Sequence, residues 1–446
     1  MTRHPRLLLL LLTTHILAQT PVPRYLTFPE AREIIAAFSA SGAPIPDLPD
    51  STSWPAWIST TDHDIRARVD RGFEDSISNL ILFGTSFTTL PRLAGTDDAL
   101  NPSDDLTPAA QARIRAFVTA LAHPNKNERL QFAATFLSRH GIGTTLLETN
   151  LLRFVKEQRT YHATLDAASQ NPDPGQLLFT RSTLYHERGL SVDTSLLPNY
   201  ALEDTLRALL RKGALKPASI HRIAIIGPGL DFADKRAGYD YYPLQTIQPF
   251  AILEAVTRLS LATPDPLELT AFDLNLAVLT HIKEAAGHPY TIQLPRPTQD
   301  DLNPAALAYW QHFGDVIGKS IPPIPPPPSL KSAILSRAVS IPPRYATHFS
   351  AVNLDIVAQT LDPPAGAGFD LVIATNILVY YDLFHQALAK AAIARLLNPG
   401  GLLLVNHALP SQPASLLEYL GRRSVSYSPT AGDDVAVYRR LMEPRP

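Results

Sequence analysis

The chain contains no cysteine. Disulfides, thiolate metal sites and a cysteine nucleophile are therefore excluded. Charge is sparse: Asp, Glu, Lys and Arg make up 18% of 446 residues, and the formal net charge is −2. There is no basic run of the kind that grips phosphates, so nucleic acid is not an expected partner. Beyond the N-terminus no stretch is apolar enough to cross a bilayer. The remainder is rich in core formers, with 45% hydrophobic residues, which argues against wholesale disorder. A chain of this length is expected to form two or three domains. Proline is the one excess: the 41 prolines are nearly twice the usual share of roughly 5%, and many sit in connections.

Residues 1–19 read as a signal peptide. Arg3 and Arg6 give a positive start, Leu7 to Leu12 begin a short apolar core, and Ile16-Leu17-Ala18 precedes a cut before Gln19. The expected location is periplasmic or secreted, as for an exported bacterial protein, with no membrane span after removal. If the signal is not used, the chain is cytoplasmic.

Residues 20–215 read as mainly helical. Pro29 and Glu30 open a segment with spaced apolar residues. Thr107-Pro108 opens another, carrying Ile114, Phe117 and Leu121, and Gly213 stops a third. Asp62-His63-Asp64 is not read as a metal site, because adjacent residues on one element do not all point one way. From Ile220 the pattern changes to short β-branched runs alternating with helices, the grammar of an α/β sheet. Residues 288–345 interrupt it with a Pro-rich insertion whose polyproline run, beginning at Ile321, reads as an extended surface loop. A short helix closed by Gly421 is expected near the end. Ser424–Tyr427 and Val435–Arg439 then pair as a hairpin across Thr430-Ala431-Gly432-Asp433.

Phe369-Asp370-Leu371-Val372-Ile373-Ala374-Thr375-Asn376 is followed about twenty residues later by Asn398-Pro399-Gly400-Gly401 and an apolar run to Asn406. Two buried strands flank one helix, a βαβ unit of a parallel sheet. These residues resemble the fourth and fifth strands of class I S-adenosylmethionine-dependent methyltransferases, most closely the chemotaxis-receptor branch. The terminal hairpin is also the methyltransferase arrangement. The implied fold is a doubly wound, Rossmann-like sheet over residues 216–446, preceded by a helical domain that packs over the carboxyl edge of the sheet as a possible lid.

The resemblance implies S-adenosyl-L-methionine as cofactor. Gly227-Pro228-Gly229 follows the first strand, where glycines allow a tight turn and close approach of a ligand. The usual acid before the first glycine and the third glycine are replaced by Ile225 and Asp231, so the match is partial; Asp231 or Asp234 is a candidate replacement for the acid. The segment from Asp231 to Gln248 reads either as a substrate wall or as a surface insertion. Asp273 closes the second strand and is the candidate for the ribose hydroxyls. Asn353-Leu354 resembles the pair that contacts adenine. Thr375 and Asn376 lie at the carboxyl end of the fourth strand, where ligands bind in open α/β sheets. Thr375 is assigned to the cofactor. The candidate catalytic residues are Asn376, Tyr380 and His407, while His385 reads as structural. No metal is expected. The expected function is methyl transfer to an unknown small-molecule or protein acceptor. The alternative is an exported binding or scaffolding protein that keeps the fold without catalysis.

Overall fold

The computed structural model describes residues 22–41, 49–169, 188–232, 239–263, 267–364, 366–411 and 415–442. The signal segment and Asp234 lie outside them. The chain opens with β1 (Arg24–Tyr25), α1 (Phe28–Ser41) and the long α2 (Trp54–Phe83). Then come α3 (Pro108–Leu121), α4 (Glu128–Arg139) and α5 (Thr144–Ser169). Thr107 and Asn127 cap α3 and α4 by accepting from first-turn N–H groups.

The α/β part runs α6 (Leu197–Arg211), β2 (Arg222–Ile226), α7 (Gln248–Arg258), β3 (Glu268–Asp273) and α8 (Leu276–Glu284). An insertion follows, with β4 (Tyr290–Pro297), α9 (Pro304–His312), β5 (Lys319–Ile321) and β6 (Ile334–Ile341). The chain then adds β7 (Phe349–Asn353), β8 (Gln359–Thr360), β9 (Phe369–Ala374) and α10 (Leu383–Leu396). It closes with β10 (Leu397–Val405), β11 (Leu417–Ser426) and β12 (Gly432–Arg440).

Seven strands form the main sheet in the order β11-β12-β10-β9-β2-β3-β7. Strands β10, β9, β2, β3 and β7 pair in parallel, and β12 runs antiparallel to both β10 and β11. This is the doubly wound, Rossmann-like methyltransferase sheet with its terminal hairpin. The strand order reverses between β2 and β9, which places a ligand-binding crevice at their carboxyl ends.

The pleat sends alternate residues to two cores. Ile223, Ile225, Leu371 and Ile373 pack on α6 and α7, while Ala224, Ile226, Val372 and Ala374 pack on α1, α10 and the start of α2. The helices before residue 216 are therefore not all set apart from the sheet. A third core joins the rest of α2 to α3, α4 and α5, and takes in Phe232.

The insertion carries structure of its own: β4, β6 and β5 form a three-stranded antiparallel sheet, and Ile292, Trp310 and Val339 join the first core. Its polyproline run, Pro322–Pro327, is extended connection, as read from the sequence. Two sequence readings need correction. No helix ends at Gly421. That residue lies inside β11 at φ +126°, where the register with β12 shifts between Tyr419 and Gly421. The described part of the segment from Asp231 to Gln248 is not a plain surface insertion, since Phe232, Tyr239, Asp240 and Tyr242 are buried. Asp240 accepts from the N–H groups of Thr85 and Ser86, and the Arg129 guanidinium on α4 donates to the carbonyls of Asp231, Phe232 and Tyr242. These bonds staple the segment to the N-terminal helices.

Candidate functional site

The glycine turn leaves β2 at the switch point. Gly227 and Gly229 have φ of +65° and +76°, a region that other residues enter only with strain. A Cβ on Gly227 would lie 2.1 Å from Cδ1 of Ile377, and one on Gly229 would lie 2.9 Å from the carbonyl oxygen of Val192. Both glycines therefore admit close approach, but the nearest atoms belong to this chain. Segment 190–193 is pinned here: Leu230 N–H donates to the Val192 carbonyl at 2.5 Å, and Leu190 N–H to the Arg68 carbonyl at 3.0 Å. The Arg68 guanidinium bridges the Arg188 and Tyr380 carbonyls, each at 2.9 Å.

Beyond the turn is a cavity of about 50 Å³. Gly227, Gly229, Asp273, Asn275, Leu354 and Tyr380 are among its lining residues. The Asp273 carboxylate accepts from the Asn275 N–H at 2.8 Å. It is deep in the fold, yet part of its surface faces the cavity rather than packed atoms. Burial pushes its pKa up to about 7, because no cation among the described residues offsets the lost hydration. Asn275 caps α8 through its Oδ1, which accepts from Ala277 N–H, and its buried Nδ2 has no acceptor among the described residues. Asn275 is a site residue that the sequence does not single out; nothing in its residue type distinguishes a cap whose second amide atom faces a cavity.

The structure thus brings together Gly227, Gly229, Asp273, Leu354 and Tyr380. It does not bring the remaining candidates to the cavity. Asp231 is turned away, accepting from the Tyr242 hydroxyl at 2.9 Å and from Gln245 Nε2 at 3.0 Å. Asn353 ties strand ends together: its Nδ2 donates to the carbonyls of Asp273 and Leu274, and its Oδ1 accepts from Arg66 at 2.5 Å. Thr375 is buried against α7, where its hydroxyl accepts from Gln248 Nε2 at 2.9 Å. Each spends its polar atoms on the fold.

Asn376 and His407 open on a different cleft, of about 610 Å³, formed with the β11–β12 hairpin. Asn376 adopts φ +61°, its N–H donates to Asn406 Oδ1, and His407 Nε2 lies 3.1 Å from Gln386 Oε1. This cleft shares no lining residue with the cavity at Asp273. His385 is held by Asp382 at 2.8 Å and stacks on Trp57. Asp62 is engaged by Arg66 and by the Tyr25 hydroxyl.

No family model matches the chain, and no curated protein matches it. Solved structures do. TrmN from Thermus thermophilus is similar at 16% identity and a TM-score of 0.25, over 55% of this chain and 52% of that one. The match thus spans about half of the Thermus thermophilus protein. The N-methyltransferase NodS from Bradyrhizobium japonicum WM9 is similar at 13% identity and a TM-score of 0.26, over 54% and 94%. A TehB-like SAM-dependent methyltransferase from Corynebacterium glutamicum is similar at 11% identity and a TM-score of 0.25, over 55% and 89%. Likenesses this distant transfer no chemistry to the chain, and the sheet's own strand order carries the fold assignment.

Proposed function

We propose that the protein is an S-adenosylmethionine-dependent methyltransferase. The observation that carries this reading is Asp273. Its carboxylate ends the second strand of a sheet of methyltransferase order, stands beside the glycine turn, and faces a cavity with no cation to balance it.

The residues fit the nucleoside half of the cofactor. Asp273 would accept from the two ribose hydroxyls, Asn275 Nδ2 would find the acceptor it lacks, and Leu354 and Ile356 would offer apolar surface to the base. The methionyl half fits only when Ile377 leaves the face of Gly227, since a cavity of about 50 Å³ is well below the ~300–1,000 Å³ of small-molecule sites. The cofactor, when bound, supplies an electrophilic methyl group. This chain's part is to hold the partners in line and to exclude water, for which Tyr380 and segment 190–193 are placed at the cavity wall. The strand at Phe369–Ala374 and the Pro399-Gly400-Gly401 turn within β10 support the chemotaxis-receptor branch as the relative within this class.

Ile377 against Gly227 also favours a second reading, a binding or scaffolding protein that retains the fold alone. Calorimetric titration with S-adenosylmethionine separates the two. Binding that weakens at least tenfold in Asp273→Ala supports the enzyme, since each charge-assisted bond contributes about 1.5–3 kcal/mol and about 1.4 kcal/mol is one decade. Absence of binding selects the scaffold.

A further inference from the structure

The polyproline run of the insertion is longer than its connection requires. It joins β5 to β6, which pair antiparallel with Ile321 opposite Ala338. Adjacent antiparallel strands need only about 2–5 residues between them, whereas this connection takes residues 322–333. Every residue from Pro322 to Pro328 except Ile324 is proline. Proline fixes φ at about −65°, and a following proline holds each residue in the extended or polyproline region. Pro327 shows the result, with φ −52° and ψ 149°. Such a chain winds as a left-handed helix of three residues per turn.

Ile324 sets the rotation of that helix. Its N–H, the one backbone donor between Pro322 and Pro328, donates to Gln293 Oε1 on β4 at 3.0 Å. Its side chain packs with Tyr241 and Leu330 against Tyr239, Tyr242 and Ile334. With Ile324 turned inward, Pro322, Pro325 and Pro328 are exposed and the residues between them are half-buried. The exposed prolines recur at every third residue, so they form one ridge along the helix. Lys319 and Lys331 are exposed at its two ends, and neither makes an ion pair among the described residues.

We propose that this ridge is a docking surface for another protein, one with an aromatic-lined groove and an acidic rim. Prolines at i and i+3 fit the spaces between the aromatic side chains of such grooves, and a ridge already held in its bound shape loses little conformational freedom. The lysines would meet the acidic rim and fix the direction in which the ridge is read. A second copy of this chain does not supply the groove among the described residues: its exposed aromatic side chains, Tyr25 and Tyr419, lie on β1 and β11 in different sheets. Such docking is independent of the methyl-transfer reading.

The test is calorimetric titration of the full chain with an SH3 domain that binds Lys-x-x-Pro-x-x-Pro peptides, the pattern of Lys319, Pro322 and Pro325. The wild type should bind. Pro325→Ala should weaken binding roughly tenfold or more, as loss of a central anchor does, while the melting temperature stays near that of wild type. Lys319→Glu should also weaken binding and flatten its dependence on salt. Pro323→Ala, on the half-buried side, should bind like wild type. A free peptide of residues 317–331 checks that the domain is competent. Failure of the folded chain to bind, equal weakening by Pro323→Ala and Pro325→Ala, or wild-type affinity in Pro325→Ala would overturn the proposal.

Discussion

Replacing Asp273 with Asn should make the protein more stable and a poorer cofactor binder. The substitution keeps an oxygen for the Asn275 N–H and removes the charge. In the folded chain burial raises the Asp273 pKa from 3.8 to about 7. The folded form therefore binds a proton that the unfolded form has already released. Stability accordingly falls as pH rises from about 4 to about 7 and levels off above that. Each pKa unit corresponds to about 1.4 kcal/mol, so the charged carboxylate costs the fold roughly 2–4 kcal/mol at pH 8, the lower figure allowing for water in the cavity. Urea unfolding of wild type and Asp273→Asn at pH 4, 6 and 8 measures the difference directly. The variant should gain on wild type steadily over that range, reaching roughly 2–4 kcal/mol at pH 8. A difference that does not change with pH, or a wild type more stable than the variant at pH 8, would refute the assignment of Asp273 as an uncompensated carboxylate.

Arg129→Met should destabilise the fold by at least ~3 kcal/mol, because three carbonyls lose their shared donor and each buried orphan costs about 1–3 kcal/mol; thermal melting reads this as a large fall. Ile377→Ala should tighten S-adenosylmethionine binding severalfold by clearing the face of Gly227, and weaker calorimetric binding would count against Ile377 as the obstruction. Gly227→Ala should destabilise through both its positive φ and the contact with Ile377, and the double variant Gly227→Ala/Ile377→Ala should recover only part of the loss in urea unfolding. If residues 1–19 act as a signal, fractionation of the native organism should recover a chain beginning near Gln19 outside the cytoplasm; full-length chain from cytosol with Met1 intact would contradict export.

The parallel strands were legible because burial on both faces makes them continuous apolar runs, as at Ile223–Ile226 and Leu371–Ala374. Asp273 and the two glycines were legible because a strand end and a tight turn restrict the residue types found there. Strand β11 was not. Leu416, Leu417 and Leu420 have helical spacing, and only pairing with β12 makes an extended chain of them, with Gly421 absorbing the irregularity. Asp231 was assigned to the cofactor as a replacement for the missing acid, Asn353 by its likeness to an adenine-contacting pair, and Thr375 by its place at a strand end. Their partners Tyr242, Gln245, Arg66 and Gln248 come from other elements, and no local pattern shows which way a polar side chain turns. For the same reason Ile377 and segment 190–193 carried no signal in the sequence: each acquires its meaning from a contact across the fold.

The most direct test of the central claim is a crystal structure of the full chain with S-adenosylhomocysteine. The ligand is predicted to lie at the carboxyl ends of β2 and β3, with its ribose hydroxyls on the Asp273 carboxylate and Ile377 displaced from Gly227. Ligand bound elsewhere, or an unchanged Ile377 over Gly227 at saturating ligand, would contradict the account.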